Sequence, residues 1–155
     1  MGAISAEARR LVEQQQLGFV ATVCPDGTPN LSPKGTTAVL DDDHLVFADI
    51  HSPNTIANLR ASPAVEINVV DPLTRKGFRF KGTARIVEAG AELETLLDFY
   101  RRRGSTSEKR CIVVVKVEQA APLISPAYDD GTNEAQVVGK WRAYWEKLWG
   151  ARSPP

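Results

Sequence analysis

The stretch 17-LGFVATVCPDGTPNLSPKG-35 decides the fold. Apolar residues alternate over positions 19–23, which predicts a strand because successive side chains of a strand point to opposite faces. The run Pro-Asp-Gly-Thr-Pro at 25–29 supplies turn residues, and 30–39 then returns as a second strand. A hairpin near the start of the chain favours an antiparallel sheet.

The rest of the chain shows further strand and helix patterns. Alternating or continuous apolar runs predict four more strands, at 45–49, 65–69, 78–86 and 111–117. Helical spacing predicts helices over 4–16, from Ser52-Pro53 to the boundary at Pro63, over 93–100 and over 133–149. Six strands in so short a chain favour an α+β domain with a closed or half-closed antiparallel barrel, because closure removes exposed edges.

Composition restricts the class of protein. The chain has 155 residues, with 19 Lys+Arg against 19 Asp+Glu, which fits one domain (1–150) with a disordered tail (151–155). Zero net charge argues against a general nucleic-acid binder. We find neither an apolar run of the ~20 residues that cross a bilayer nor the plan of a signal peptide, so we expect a cytoplasmic protein with reduced cysteines and no membrane partner.

The first candidate site is Ser32-Pro33-Lys34-Gly35, within the second strand. A proline inside a strand belongs at an edge, a bulge or a rim, and glycine permits close approach by a ligand. Lys34 is a compact cation that could pair with an anion. The alternative interpretation is a bulge with a solvated lysine.

The second candidate is the segment 49–55, which ends a strand and opens a helix. The first turn of a helix carries unpaired N–H groups and a partial positive charge, which together favour anions. Ser52, Asn54 and Thr55 could add side-chain donors to phosphate oxygens. Ser52 could instead serve simply as the N-cap.

The third candidate is a cationic run of five residues: Arg75, Lys76, Arg79, Lys81 and Arg85. Alternation places Arg79 and Lys81 on the face opposite Phe78 and Phe80. Such a face is either solvated or accepts a phosphate or an acidic substrate. A tryptophan stripe at 141, 145 and 149 favours an interface, with a core position or a wall over a planar ligand as alternatives.

No familiar catalytic motif is present. We find no dinucleotide, nucleotide or hydrolase signature, and His44 and His51 lack companions at metal-ligand spacing. The catalytic residues are therefore unknown, no metal is expected, and any demanding chemistry would belong to a bound cofactor.

Taken in order, these segments resemble the FMN-binding split β-barrel family related to pyridoxamine 5′-phosphate oxidase. The resemblance covers about residues 5–120 and lies in 17–23, 29–35, 45–49, 55–59 and 78–85. It implies a six-stranded antiparallel split β-barrel with flanking helices, forming a homodimer with FMN at the subunit interface. The resemblance implies ten positions around the flavin: Ser32, Pro33, Lys34, Ala48, Asp49, Ser52, Asn54, Thr55, Arg79 and Lys81. We add Gly35, from the first candidate site, to these cofactor-binding residues.

The chain departs from the true oxidases, which carry an Arg-Lys pair where this chain has Asn54-Thr55. Lys34 and the helix N-terminus would then compensate at the phosphate. The leading hypothesis is a homodimeric FMN-binding oxidoreductase with an unknown substrate. The alternatives are a deazaflavin- or haem-binding relative and a small barrel that binds single-stranded nucleic acid through Phe78 and Phe80.

Overall fold

A computed structural model describes residues 2–152 of the chain. The helices are α1 (Ala6–Gln15), α2 (Pro53–Ala61), α3 (Gly90–Arg102) and α4 (Glu134–Gly150), at the four places that the sequence predicts. The strands are β1 (Gly18–Val23), β2 (Pro29–Lys34), β3 (Ala38–Val39), β4 (His44–Asp49), β5 (Ala64–Asp71), β6 (Lys76–Val87) and β7 (Cys111–Ile124). Tail residues 153–155 lie outside the described residues, so the predicted disorder there stays a prediction.

All strands form one antiparallel sheet in the order β2-β1-β5-β6-β7-β4-β3. In a flat sheet with strands ~4.8 Å apart, the two edge strands β2 and β3 would lie about 29 Å apart. The chain from Lys34 to Ala38 spans at most about 14 Å. The sheet must therefore curl until its edges approach, which makes it a half-closed barrel.

Residues 2–152 contain seven strands rather than the predicted six, because the segment 30–39 is not one strand. Both the amide and the hydroxyl of Thr37 donate to the Lys34 carbonyl, at 3.3 Å and 2.8 Å, and this turn divides the segment into β2 and β3. Pro33 and Gly35 disfavour strands and are the local signal of this break. Pro33 lies on the edge strand β2, and an edge is one of the three positions, with a bulge and a rim, that the sequence predicts for it.

The core has two parts, on opposite faces of the sheet. Phe47, Val113 and Val115 pack on the face covered by α1 and α2, whereas Val46 and Val114 pack against α3. Neighbouring residues of β4 and β7 thus enter different core clusters, because side chains of a strand alternate. Residues 111–115 and Val117 of β7 are buried, so both faces of this part of the strand lie in the core.

The last helix lies beyond β7 and is only lightly packed. It begins with a capping box in which Asn133 and Gln136 satisfy each other's backbone N–H groups. Val137 is its one buried residue, and Trp149 is 60% exposed. None of the helices within residues 2–152 is long and apolar enough to cross a membrane.

Candidate functional site

A small cavity of about 210 Å³ lies between β2 and the start of α2. It brings together the first two candidate segments, which are separated by almost twenty positions in the sequence. The predicted residues that line it are Ser32, Ser52, Asn54 and Thr55, and the others are Asn30, Leu31, His51 and Pro53.

Lys34 lies directly behind this cavity and is only 5% exposed. Its ammonium donates to Ser32 Oγ at 2.8 Å and to Ser52 Oγ, so it joins the two serines across the gap. Burial lowers the pKa of Lys34, and the nearby negative charge of Asp49 opposes that shift. No described carboxylate lies within 4 Å of the ammonium, and an ammonium has three N–H donors, so one remains for an anion.

The start of α2 offers further donors to the cavity. Ser52 occupies the N-cap position, but its side chain makes no capping bond, because its hydroxyl accepts from Lys34 instead. Asp49 Oδ1 accepts from the Ser52 amide at 2.7 Å and fixes this turn. No described acceptor takes the amide N–H groups of Asn54 and Thr55. These free donors, with the helix dipole, make the turn electropositive.

A buried polar contact holds α2 against β1. Asn58 Nδ2 donates to Thr22 Oγ1 at 3.0 Å and lies 3.5 Å from Cys24 Sγ, while Asn30 Nδ2 reaches the same hydroxyl at 3.4 Å. Asn58 and Thr22 are 4% and 2% exposed. Because these groups are buried, their hydrogen bonds fix the position of the helix whose first turn lines the cavity.

Five predicted site residues lie away from this cavity: Pro33, Gly35 and Ala48, and the two cations Arg79 and Lys81. Pro33 is exposed on the outer face of β2. Gly35 lines a different cavity, beside Thr36 and Tyr100. Ala48 is buried in the core that packs against α3. Because adjacent side chains of a strand point to opposite faces, only some residues of each candidate segment reach the cavity.

The cationic run does not form the free positive surface that the sequence suggests. Arg79 and Lys81 lie on the outer face of the sheet, and both pair with Glu66, at 2.9 Å and 3.6 Å. Lys76 pairs with Glu134 at 2.7 Å, and Arg85 pairs with Glu92. Arg75 alone in the run has no carboxylate within 4 Å among residues 2–152. Four of these five cations are therefore neutralised locally.

Other sequence hypotheses are also decided by burial. Phe80 is fully buried and Phe78 packs against the core, so neither side chain is free to stack with a base. This removes the contact on which the nucleic-acid alternative depended. Both cysteines are free thiols, Cys111 buried and Cys24 half-buried. The described residues contain no group of three or more His, Cys, Asp or Glu side chains that could hold a metal ion.

Two polar residues of the cavity were not predicted. Asn30 shares the side of β2 on which Ser32 and Lys34 lie, and the two-residue period of a strand was the signal that could have identified it. His51 lies within the second candidate segment but was considered only as a metal ligand. Its position in the turn before α2 is what brings it to the cavity.

Comparison with known proteins adds a family and three related folds. The family profile of pyridoxamine 5′-phosphate oxidase matches residues 4–123. The crystal structure of HupZ from Group A Streptococcus is 30% identical, with a TM-score of 0.71, and the alignment covers 79% of this chain and 95% of that chain. A search of curated protein sequences finds no match.

Two more distant structures share the fold. An FMN-binding protein from Syntrophomonas wolfei subsp. wolfei is 18% identical, with a TM-score of 0.63 over 74% of this chain and 82% of that chain. An F420 reductase is 24% identical, with a TM-score of 0.60 over 76% of this chain and 98% of that chain. All of these alignments leave roughly a fifth or more of this chain unmatched, and the family profile ends before α4.

Proposed function

Because this chain belongs to the pyridoxamine 5′-phosphate oxidase family, we propose that it is a homodimeric FMN-binding oxidoreductase that holds the phosphate of the flavin between β2 and α2. FMN supplies the hydride and electron chemistry when it is bound. The residues of the chain bind its phosphate, orient it and set the charge around it.

The observation that carries the proposal is the buried Lys34 ammonium behind a cavity of free donors. Burying a charge without an ionic partner is costly, and Lys34 has only hydroxyl partners and a more distant Asp49. A phosphate in the cavity would supply the missing negative charge. The free amides of Asn54 and Thr55 would donate to the same oxygens.

The size of the cavity supports a second subunit. Sites for drug-sized ligands measure ~300–1,000 Å³, and this cavity has about 210 Å³. It suits a phosphate group but not a three-ring flavin as well. The ring would then extend beyond the cavity, and a second subunit would supply a surface for it.

The outer face of the first hairpin is a suitable surface for that second copy. Phe19, Val23 and Leu31 point outward from β1 and β2 and are 40%, 41% and 65% exposed. Leu31 also lines the cavity, so a copy packed on this face would cover the cavity mouth. An exposed apolar patch of this kind is typical of an interface.

The pairing of the cationic run favours FMN over a deazaflavin. A deazaflavin carries a more acidic tail than FMN and would need free cations, but Lys76, Arg79, Lys81 and Arg85 are already paired with carboxylates. A single phosphate requires only the donors at the cavity. Competition between FMN and a deazaflavin in one titration separates the two ligands.

The absorbance spectrum of the purified protein, followed by an FMN titration, tests the proposal. We expect Lys34→Met to weaken FMN binding about 10- to 100-fold, because a hydrogen bond to a charged group contributes ~1.5–3 kcal/mol. Lys116→Met, at an exposed lysine of β7, is the matched control and should leave the affinity unchanged. A colourless protein that takes up no FMN would refute the function, and equal affinity in Lys34→Met would remove Lys34 from the site.

A further inference from the structure

The turn between β5 and β6 is held in place by the C-terminal part of the chain. Arg75 has a φ of 56°, in the left-handed region that favours glycine. Its amide donates to the Asp71 carbonyl at 2.9 Å, and its own carbonyl accepts from the Ser125 amide at 3.1 Å. The Tyr128 hydroxyl donates to the Thr74 carbonyl at 2.6 Å. These bonds fix the backbone from which the Arg75 side chain extends.

The Arg75 side chain is equally constrained. Its guanidinium carbon lies 3.4 Å from the centroid of the Trp141 ring on α4. A guanidinium stacked in this way keeps its N–H edge free for a planar, two-pronged contact with a carboxylate or phosphate. Arg75 Nε is buried without any hydrogen-bond partner, and no carboxylate of residues 2–152 pairs with the group. A buried, unpartnered cationic N–H is costly unless a ligand satisfies it.

A cavity of about 320 Å³ opens beside this side chain, between the β5–β6 turn and α4. Lys140 also lines it and has no described carboxylate partner within 4 Å. The side-chain oxygen Oε1 of Gln136 accepts a hydrogen bond from the backbone N–H of Asn133. The side-chain NH₂ group of Gln136 can therefore donate to a ligand. The other polar residues of the lining are Ser125, Asp130 and Thr132.

The charge of the cavity is positive overall. Asp130 is its single acid, and hydrogen bonds from the Thr132 side chain and backbone lower the pKa of Asp130 and occupy its Oδ1. Two cations thus face one carboxylate that is already engaged. The cavity shares no residue with the one between β2 and α2.

We propose that this cavity is a second binding site, which takes an oxyanion, the phosphate or carboxylate group of a small molecule, between Arg75 and Lys140. Arg75 supplies the two-pronged contact, Lys140 adds a point charge, and the Gln136 amide donates from one turn earlier on α4. Trp141 keeps the guanidinium plane oriented. The site stands independently of flavin binding, since none of its residues touches the other cavity.

Titration of the full-length ¹⁵N-labelled protein, followed by NMR, tests the site. The probes are sodium phosphate and sodium acetate, with sodium chloride at matched ionic strength as the screening control. We expect the indole N–H signal of Trp141, identified by its loss in Trp141→Phe, to shift saturably with at least one oxyanion and not with chloride. Arg75→Gln should raise the dissociation constant at least tenfold, whereas Arg142→Gln, at an exposed arginine next to Trp141, should not change it.

Arg75→Gly is the second variant, because glycine accepts the positive φ and removes the guanidinium while keeping the turn. It too should lose binding. The absence of a saturable Trp141 shift with either probe, or a shift that survives both Arg75 variants, overturns the proposal. Phosphate shifts confined to the amides of Ser52, Asn54 and Thr55 also overturn it and support the flavin phosphate site instead. A saturable Trp141 shift in a protein that binds no FMN would support this site and refute the proposed flavin function.

Discussion

Burial of a lysine makes stability depend on pH in a defined direction, and Lys34 is the residue where this applies. Its folded-state pKa lies below the ordinary value of 10.5, chiefly because the charge is desolvated. The unfolded chain therefore binds more protons between the two pKa values, and stability gains from this group as pH rises through that window. The cost of the buried charge is present in full below the folded-state pKa.

We predict that Lys34→Met is stabilised relative to the wild type most strongly near pH 7, and that this difference shrinks as pH approaches 10. Urea unfolding of both proteins at several pH values measures the difference between their free energies of unfolding. Contributions from the other titrating groups are common to both proteins and cancel in this difference. A difference that stays constant or grows with pH would mean that Lys34 is not desolvated in the folded protein.

Cys111 should be an unreactive thiol. Burial raises the pKa of Cys111 from 9.0 to about 11, and the charges of Asp49 and Glu88 add to that shift. At pH 8 this lowers the thiolate fraction about a hundredfold, and the thiolate is the reactive form. In Cys24→Ser, we expect the remaining thiol to react with Ellman's reagent far more slowly in the folded protein than in urea. Equal rates in the two states would contradict this burial.

At the scale of elements, the contact between Asn58 on α2 and Thr22 on β1 determines where the first turn of α2 lies. Removing one partner of a buried hydrogen bond costs ~1–3 kcal/mol. We predict that Asn58→Ala loses stability in this range and also weakens FMN binding, although Asn58 does not line the cavity. A double-mutant cycle with Thr22→Val should give a coupling energy of about 0.5–1.5 kcal/mol.

The matched control is Asn133→Ala, which removes the N-cap of α4 and costs a similar ~1 kcal/mol. It should leave FMN affinity unchanged, because α4 does not position the β2–α2 cavity. If both variants weaken FMN binding equally, loss of stability alone explains the effect and Asn58 has no positioning role.

The elements that could be predicted from the sequence are those whose signal is local. The double burial of β7 follows from a continuous apolar run, and the start of α2 follows from Ser52-Pro53. The division of 30–39 has a local signal in Pro33 and Gly35, but its form, with Thr37 bonded to the Lys34 carbonyl, becomes visible only in the structure. The Ser52 hydroxyl bonds to Lys34 instead of capping α2. This contact could not be predicted either, because it joins two segments that are distant in the sequence.

At the scale of the whole molecule, many of the balanced charges pair across the fold. Glu66, Glu92 and Glu134 come from three different elements and neutralise four cations of β6. Each exposed pair contributes only ~0–1 kcal/mol to stability, so the main effect is electrostatic. Lys34 and Arg75 are two of the cations that have no carboxylate within 4 Å among residues 2–152, and each lies beside a cavity.

The proposed homodimer would cover one of the exposed apolar surfaces of the chain. The outward face of β1 and β2 and the tryptophan face of α4 are the two candidates, with Phe19 40% and Trp149 60% exposed. We favour the sheet face, because Leu31 lies on this face and also lines the cavity between β2 and α2. We predict that Phe19→Asp converts a dimer to a monomer and lowers FMN affinity, whereas Trp149→Asp changes neither. Analytical ultracentrifugation of both variants, with FMN titration of each, measures this. Dissociation by Trp149→Asp alone would place the interface on α4, and a wild type that sediments as a monomer with FMN bound would show that one chain completes the site.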